Sequence, residues 1–184
     1  MSLHLGVDPG LELTGFALLR LEGKTAVLVE AGVIRTARGL HLSRRLSDLQ
    51  RDFETLLGQH PVASAGVEKL FFTKNVTTGM AVAHARGVVY AALGGRGIAV
   101  REYTPSQVKK AVCGSGRADK RAMMEMTRRL LGLREVLRPD DTADAAAVAL
   151  CHVFAHPDLM LPEPGETRGA GPAARTADKT RRKT

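Results

Sequence analysis

Two short runs constrain this chain more than any other feature. In Leu3-His4-Leu5-Gly6-Val7-Asp8-Pro9-Gly10, apolar Leu3, Leu5 and Val7 alternate with His4, Gly6 and Asp8. A period of two sends those sets to opposite faces of a β-strand. One face is apolar, and the other ends in a carboxylate where Pro9-Gly10 breaks the strand. Gly6 removes side-chain bulk two residues before the acid and is expected to leave open space beside it. Ala63-Ser64-Ala65-Gly66-Val67-Glu68 repeats the design, with Gly66-Val67-Glu68 matching Gly6-Val7-Asp8. As parallel neighbours, two such strands deliver both carboxylates to one end of a sheet, where open α/β sheets bind their ligands.

The intervening and following chain supplies the rest of that sheet. Leu13–Leu21 and Thr25–Thr36 read as two further strands joined at Glu22-Gly23-Lys24, a hairpin turn. Three strands in quick succession imply an antiparallel meander that starts at the Asp8 strand. Between His41 and His60, Leu42, Leu46, Leu49, Phe53, Leu56 and Leu57 recur at helical spacing, and Gly58 is the expected stop. This helix reads as a crossover to the parallel Glu68 strand. Val76–Gly94 is a second helix, rich in Ala and Gly, which permits close approach to another helix. Arg96–Glu102 is expected to be a strand, and Pro105 falls near the first position of the helix after it. Cys113–Ala118 is a Gly/Ser loop, Asp119 caps a helix through Leu131, and Pro139 opens a last helix from Asp140 to His156.

The balance of charge narrows the class of partner. The chain of 184 residues carries a net charge of +8 and has a pI near 10.0, which favours a polyanionic partner. From Glu163 onward six Lys or Arg stand against three acids, so the remaining body still carries +5. That tail, 161–184, lacks an apolar period and reads as disordered, which leaves one folded domain over 1–160. Two cysteines, Cys113 and Cys151, form neither a disulfide framework nor a zinc-ligand spacing. No apolar run is long enough to span a bilayer, and the expected location is cytoplasmic.

The last helix adds further acids in Asp140-Asp141-Thr142-Ala143-Asp144. Asp141 and Asp144 share a helix face, as do Asp140 and Asp144. Asp140 or Asp141 also suits an N-cap, whereas Asp144 sits about one turn inside. Below Asp144 its stripe continues through Val148, Cys151 and Ala155, a small apolar face suited to packing on the sheet. An acid at the top of such a face is costly unless a proton or a cation neutralises it. His152 lies two turns, about 12 Å, below Asp144, too far to share a metal with it, and reads as polar packing. Acids from three distant segments with no Cys/His cluster suit oxygen-ligated Mg²⁺ or Mn²⁺ rather than zinc. On a basic protein, a carboxylate-held metal pair suggests phosphodiester hydrolysis.

These residues also resemble a known family. Gly6-Val7-Asp8-Pro9-Gly10 with Thr14-Gly15, Glu68 before Phe71-Phe72-Thr73-Lys74-Asn75, Ala85-Arg86-Gly87 and Asp141-Thr142-Ala143-Asp144-Ala145 are similar to the RuvC family of bacterial Holliday junction resolvases. The resemblance spans nearly all of residues 1–157. It implies a ribonuclease-H-like α/β fold, with a five-stranded mixed sheet of three antiparallel then two parallel strands and helices on both faces. It implies a homodimer that nicks two opposed strands of a four-way DNA junction symmetrically, leaving 5′-phosphate and 3′-hydroxyl ends. Two Mg²⁺ ions per site, with Mn²⁺ as a substitute, and the RuvA–RuvB branch-migration complex are the implied cofactor and partner. By position, Asp8, Glu68, Asp141 and Asp144 become the catalytic and metal-holding acids, although some members carry His at the place of Asp141. Phe71 matches an aromatic that stacks on a base near the crossover, a contact worth about 1–3 kcal/mol. Phe72 and Lys74 flank it. Lys109 and Lys120 match lysines near the scissile phosphate, and Lys110, Arg117 and Arg121 are further candidate phosphate contacts. The small-residue helix falls where the family dimerises.

Three other functions fit part of the pattern. An actin-like ATPase has a similar phosphate-binding hairpin at Asp8-Pro9-Gly10 and Thr14-Gly15, but it needs two such halves. A DNA-binding module without chemistry leaves the acids unexplained. A different nuclease of the same fold shares the acids and differs in the loop and the dimer helix.

Overall fold

The computed structural model describes residues 2–70 and 76–155. Phe71, Phe72, Lys74 and the expected basic tail lie outside the described residues. The elements run β1 (Leu3–Asp8), β2 (Leu13–Glu22), β3 (Thr25–Arg35), α1 (Leu42–Gln59), β4 (Val62–Glu68), α2 (Val76–Gly95), β5 (Ala99–Tyr103), α3 (Pro105–Cys113), α4 (Lys120–Leu130) and α5 (Asp140–Ala155). They form a five-stranded sheet in the order β3-β2-β1-β4-β5. β1, β2 and β3 pair antiparallel, and β4 and β5 continue the sheet in parallel. This is the mixed ribonuclease-H-like topology expected above. Gly6 lies opposite Gly66 and Val7 opposite Val67, so the repeated Gly-Val-acid motif is two neighbouring strands in matched register.

Local chemistry accounts for most element ends. Gly23 turns the β2–β3 hairpin with a φ of 62°, and Gly114 ends α3 with a φ of 73°. Thr104 and Gln107 form a capping box at α3, with Pro105 in its first turn. The Asp119 carboxylate accepts the Ala122 N–H at 2.8 Å and starts α4. Two boundaries differ from the sequence pattern. α1 continues past Gly58 to Gln59, and the extended residue His60 before Pro61 ends it. β5 begins at Ala99 rather than Arg96, because Arg96 and Gly97 complete the turn that leaves α2.

Each face of the sheet has its own core. Leu3, Leu5 and Val7 pack with Phe16 and Leu18 beneath Leu49, Phe53 and Leu56 of α1 and Ala85, Val89 and Leu93 of α2. On the opposite face Ala17 and Leu19 pack with α5, which Val108 and Val112 of α3 and Met123 of α4 cover. α5 is therefore buried on nearly all sides from Thr142 to Val153, not along one stripe alone.

The space beside Gly6 is filled, contrary to the expectation from sequence. A Cβ built on Gly6 would stand 2.3 Å from the Ala145 carbonyl oxygen. One on Gly15 would stand 2.1 Å from the Asp141 carbonyl oxygen, and one on Gly66 2.9 Å from His152 Cβ. The three glycines line a trough across β2, β1 and β4 in which α5 lies, its backbone against Gly6 and Gly15 and its His152 side chain against Gly66. At its lower end His4 Nδ1 lies 2.9 Å from Ser64 Oγ, which lies 2.7 Å from His152 Nε2. Tyr103 OH completes the chain, 2.9 Å from His152 Nδ1. These buried polar groups satisfy one another, as interior polar groups must, and His152 is the polar packing residue expected. Cys113 and Cys151 are free thiols.

Gly15→Ala should therefore lower stability. Overpacking of this kind costs about 1–3 kcal/mol, and for a chain of this size each kcal/mol lowers the melting temperature by about 2–4 °C. Gly39→Ala, where nothing lies within 4 Å, should leave it unchanged in the same thermal denaturation series.

Candidate active site

The ends of β1 and β4 and the start of α5 bring carboxylates together. Asp8 and Glu68 terminate neighbouring parallel strands, and their carboxyl groups act on one another. Burial first, then the charge of Glu68, then those of Asp144 and Asp141, hold the Asp8 carboxyl well above the usual carboxylate range. Burial also raises Glu68, against the opposing influence of Arg86 and Lys109. Asp144 is raised by burial too, with Lys120 acting the other way. Burial and like charge both disfavour ionisation, so the cluster calls for a proton or a cation.

The structure separates Asp140 from Asp141, which spacing alone did not. Asp140 accepts from Lys120 Nζ at 3.0 Å and from Arg138 at 2.8 Å. Lys120 foremost holds its carboxyl below the ordinary range. Asp141, not Asp140, is among the charges that raise Asp8. Asp141 lines a cleft on one side of the cluster, while Glu68 and Asp144 line another.

The donor set is all oxygen, which suits a hard divalent cation. Among the described residues no three His, Cys, Asp or Glu side chains stand as a ready-made ligand set. Asp8 is engaged with Glu68, and Asp144 with Lys120 Nζ at 3.4 Å.

Of the basic residues, Lys109 and Lys120 lie at the acids. Both line a cleft of about 210 Å³ together with Glu68 and Asp144. Arg121 lines an outer cleft of about 650 Å³ that also touches Lys120, Arg129 and Arg138. Lys110, in the last turn of α3, and Arg117, in the following loop, are exposed and line none of these clefts.

Arg86 plays a part that its motif alone did not assign. It donates to the backbone carbonyl of Glu68 and pairs with Glu102, and it bonds Tyr90 OH at 3.2 Å. Its guanidinium also stands 5.2 Å from the centre of the Tyr90 ring. It thus ties the acid-bearing end of β4 to α2 and β5. The available signal was a lone cation within the small apolar helix around Ala85 and Val89, which must find a partner if buried.

The chain is similar to known proteins. Residues 4–152 match the family model described as crossover junction endodeoxyribonuclease RuvC. The RuvC of Rubrobacter xylanophilus is 46% identical over 152 residues, covering 83% of this chain and 85% of that protein. The RuvC of Chloroflexus aggregans is 44% identical, covering 85% and 95%. Among solved structures, T. thermophilus RuvC in complex with Holliday junction substrate superposes with a TM-score of 0.81 at 30% identity, covering 87% of this chain and 98% of that one. The acid-tipped β1 and β4, the buried α5 and the sheet order lie within the matched span, and the chain belongs to the RuvC family of crossover junction endodeoxyribonucleases.

Proposed function

We propose that this protein resolves Holliday junctions by hydrolysing phosphodiester bonds at the cluster of Asp8, Glu68, Asp141 and Asp144. The observation that carries this reading is the meeting of acids from β1, β4 and α5, with raised proton affinities, beside Lys109 and Lys120. A solved relative, T. thermophilus RuvC, has been captured with Holliday junction substrate. Carboxylates of this kind would repel DNA unless neutralised, and Asp8, Glu68, Asp141 and Asp144 would hold Mg²⁺, with Mn²⁺ as a substitute. Divalent ions held there would supply Lewis-acid activation and stabilisation of the charge that develops on the leaving 3′-oxygen.

The chain's own residues do the rest. Lys109 and Lys120 draw the scissile phosphate to the cleft, and Lys120 leaves Asp144 as it does so. Arg86 keeps the end of β4, and with it Glu68, in register with Asp8. The glycine trough holds α5 at the height that keeps Asp144 beside Asp8. Phe71 stacks on a base near the crossover, with Phe72 and Lys74 beside it, and Lys110, Arg117 and Arg121 contact flanking phosphates. Two copies joined through the small-residue face of α2 present two sites to two strands of like polarity. RuvA–RuvB is the partner assembly that family membership suggests. Among the described residues no helix is long and apolar enough to cross a membrane, which agrees with a cytoplasmic site of action.

The decisive experiment incubates labelled four-way junction and linear duplex with the protein, with and without Mg²⁺. Paired symmetric nicks in the junction alone are expected, and their absence would reject the reading. Asp8→Asn should reduce cleavage by about three orders of magnitude or more, since each 1.36 kcal/mol of lost stabilisation is about tenfold. Junction binding, measured by fluorescence anisotropy, should persist.

The same substitution should stabilise the metal-free protein. The folded-state pKa of Asp8 is raised, so the native state binds more protons than the unfolded chain between the ordinary and the raised value. Stability contributed by this group therefore falls as pH rises through that window. In EDTA, Asp8→Asn should melt higher than wild type at neutral pH. The difference should shrink as the pH falls towards the ordinary aspartate range, below the raised folded-state value of Asp8.

A further inference from the structure

The acids are flanked by clefts on two sides, and the functional reading above uses only the one with Lys109 and Lys120. The other, of about 490 Å³, is walled by the β1–β2 turn and by Ala81 and Val82 of α2, with Arg38, Arg45 and Asp141 on its lining.

Arg45, in the first turn of α1, is half-buried and fixed from behind. Its Nε donates to Thr36 Oγ1 at 2.9 Å. Thr36 is itself buried, its hydroxyl donating to the Leu11 carbonyl and its N–H to the Glu12 carbonyl at 3.0 Å. The guanidinium is thus anchored to the turn that leaves Asp8. Among the described residues, no hydrogen bond or ion pair engages its terminal nitrogens. Arg38 is held differently: its side chain is 80% exposed, with Nε 2.6 Å from Glu12 Oε2. Arg38 foremost, with Arg35 and Arg45 behind it, holds the Glu12 carboxyl below its ordinary range. The cleft thus carries one guanidinium anchored through Nε, its terminal amines unengaged among the described residues, and one exposed guanidinium paired with Glu12. A planar fork with free terminal N–H groups suits bidentate contact with phosphate. Asp141 joins this cleft to the acid cluster, so a strand crossing the acids can continue into it.

We propose that this cleft is a second phosphate subsite for the DNA strand being cut, in which Arg45 is the fixed donor and Arg38 leaves Glu12 to become the second. The proposal rests on the junction-cleavage reading above and adds residues on the opposite flank. Arg38, Arg45 and Glu12 lay outside the DNA-contact set suggested by sequence. Arg45 acquires its place only through Thr36 and Leu11, which come from other segments.

The test measures four-way junction affinity by fluorescence anisotropy in Ca²⁺ across a series of salt concentrations, for wild type, Arg38→Ala, Arg45→Met and Glu12→Gln. Each lost phosphate contact should flatten the plot of log affinity against log salt by about 0.9. Arg45→Met should weaken binding by about tenfold and Arg38→Ala by about threefold, as expected for charge-assisted contacts of differing burial. Glu12→Gln should tighten binding by about twofold to threefold, because it frees Arg38 and removes a negative charge. Damage to the fold does not produce tighter binding, and Arg38 and Glu12 are too exposed for their loss to unfold the chain. An unchanged salt slope for Arg38→Ala, or no tightening for Glu12→Gln, overturns the proposal. A wild-type protein that fails to nick the junction in Mg²⁺ rejects the junction-cleavage reading instead, so the two failures are distinct.

Discussion

Everything functional in this molecule depends on how closely one helix can approach one sheet. The backbone of α5 lies where side chains at residues 6 and 15 would otherwise be, the His152 side chain lies where one at residue 66 would be, and glycine stands at all three. Side chains there would lift the helix by the thickness of a methyl group or more, and Asp141 and Asp144 would rise with it. The run of alanines from Ala145 to Ala147, with Ala149, makes the same demand from the helix side. Close approach is possible only when both surfaces are small, because protein interiors are packed to near-crystalline density.

That seat creates an electrostatic problem, and the surrounding charges are arranged around it. Asp8, Glu68 and Asp144 are half-buried and resist ionisation; Glu68 and Asp144 disfavour the charge of Asp8, and Asp144 that of Glu68. Three cations moderate the cluster at different ranges. Arg86 lies behind Glu68 and ties its carbonyl to the body of the fold. Lys109 acts on Glu68 from the cleft, and Lys120 bridges Asp144 and Asp140 at the rim. A group of acids that is uncomfortable when empty is suited to a ligand that brings positive charge. Stability spent in this way is a common cost of an active site.

The neighbouring arginines follow a related logic. Arg138 and Lys120 pair with Asp140 at the rim of the cluster, where it acts on Asp144, while Asp141 acts on both Asp144 and Asp8. Arg38 is paired with the Glu12 carboxylate, whereas among the described residues Arg45 is fixed through Nε alone. Charge on the two flanks is therefore held in contacts weak enough to be exchanged, since exposed ion pairs contribute little.

Much of this was legible in the chain of letters. Alternation in Leu3–Asp8 and its repeat at Gly66-Val67-Glu68 specified two strands, their faces and the shared sheet end, because a period of two leaves little choice of register when one face is apolar. The stripe in α1, the cap at Asp119 and the Pro105 start of α3 were equally local signals. Gly6 was legible as a missing side chain but not as an occupied site, since a glycine looks the same beside a void or beside another backbone. Asp140 and Asp141 are interchangeable by helical spacing, and only the positions of Lys120 and Arg138 tell them apart. Arg45 acquires its meaning from Thr36 and Leu11, and Arg86 from Glu68 and Glu102, residues that spacing cannot bring together. The sequence by itself determined the elements, the acid-tipped strands and the chemical type of the site, since these follow from local periodicity and residue identity. Tertiary structure alone decided the depth of α5, which acids act on one another and which cations remain available, because these depend on distances between segments far apart in the chain.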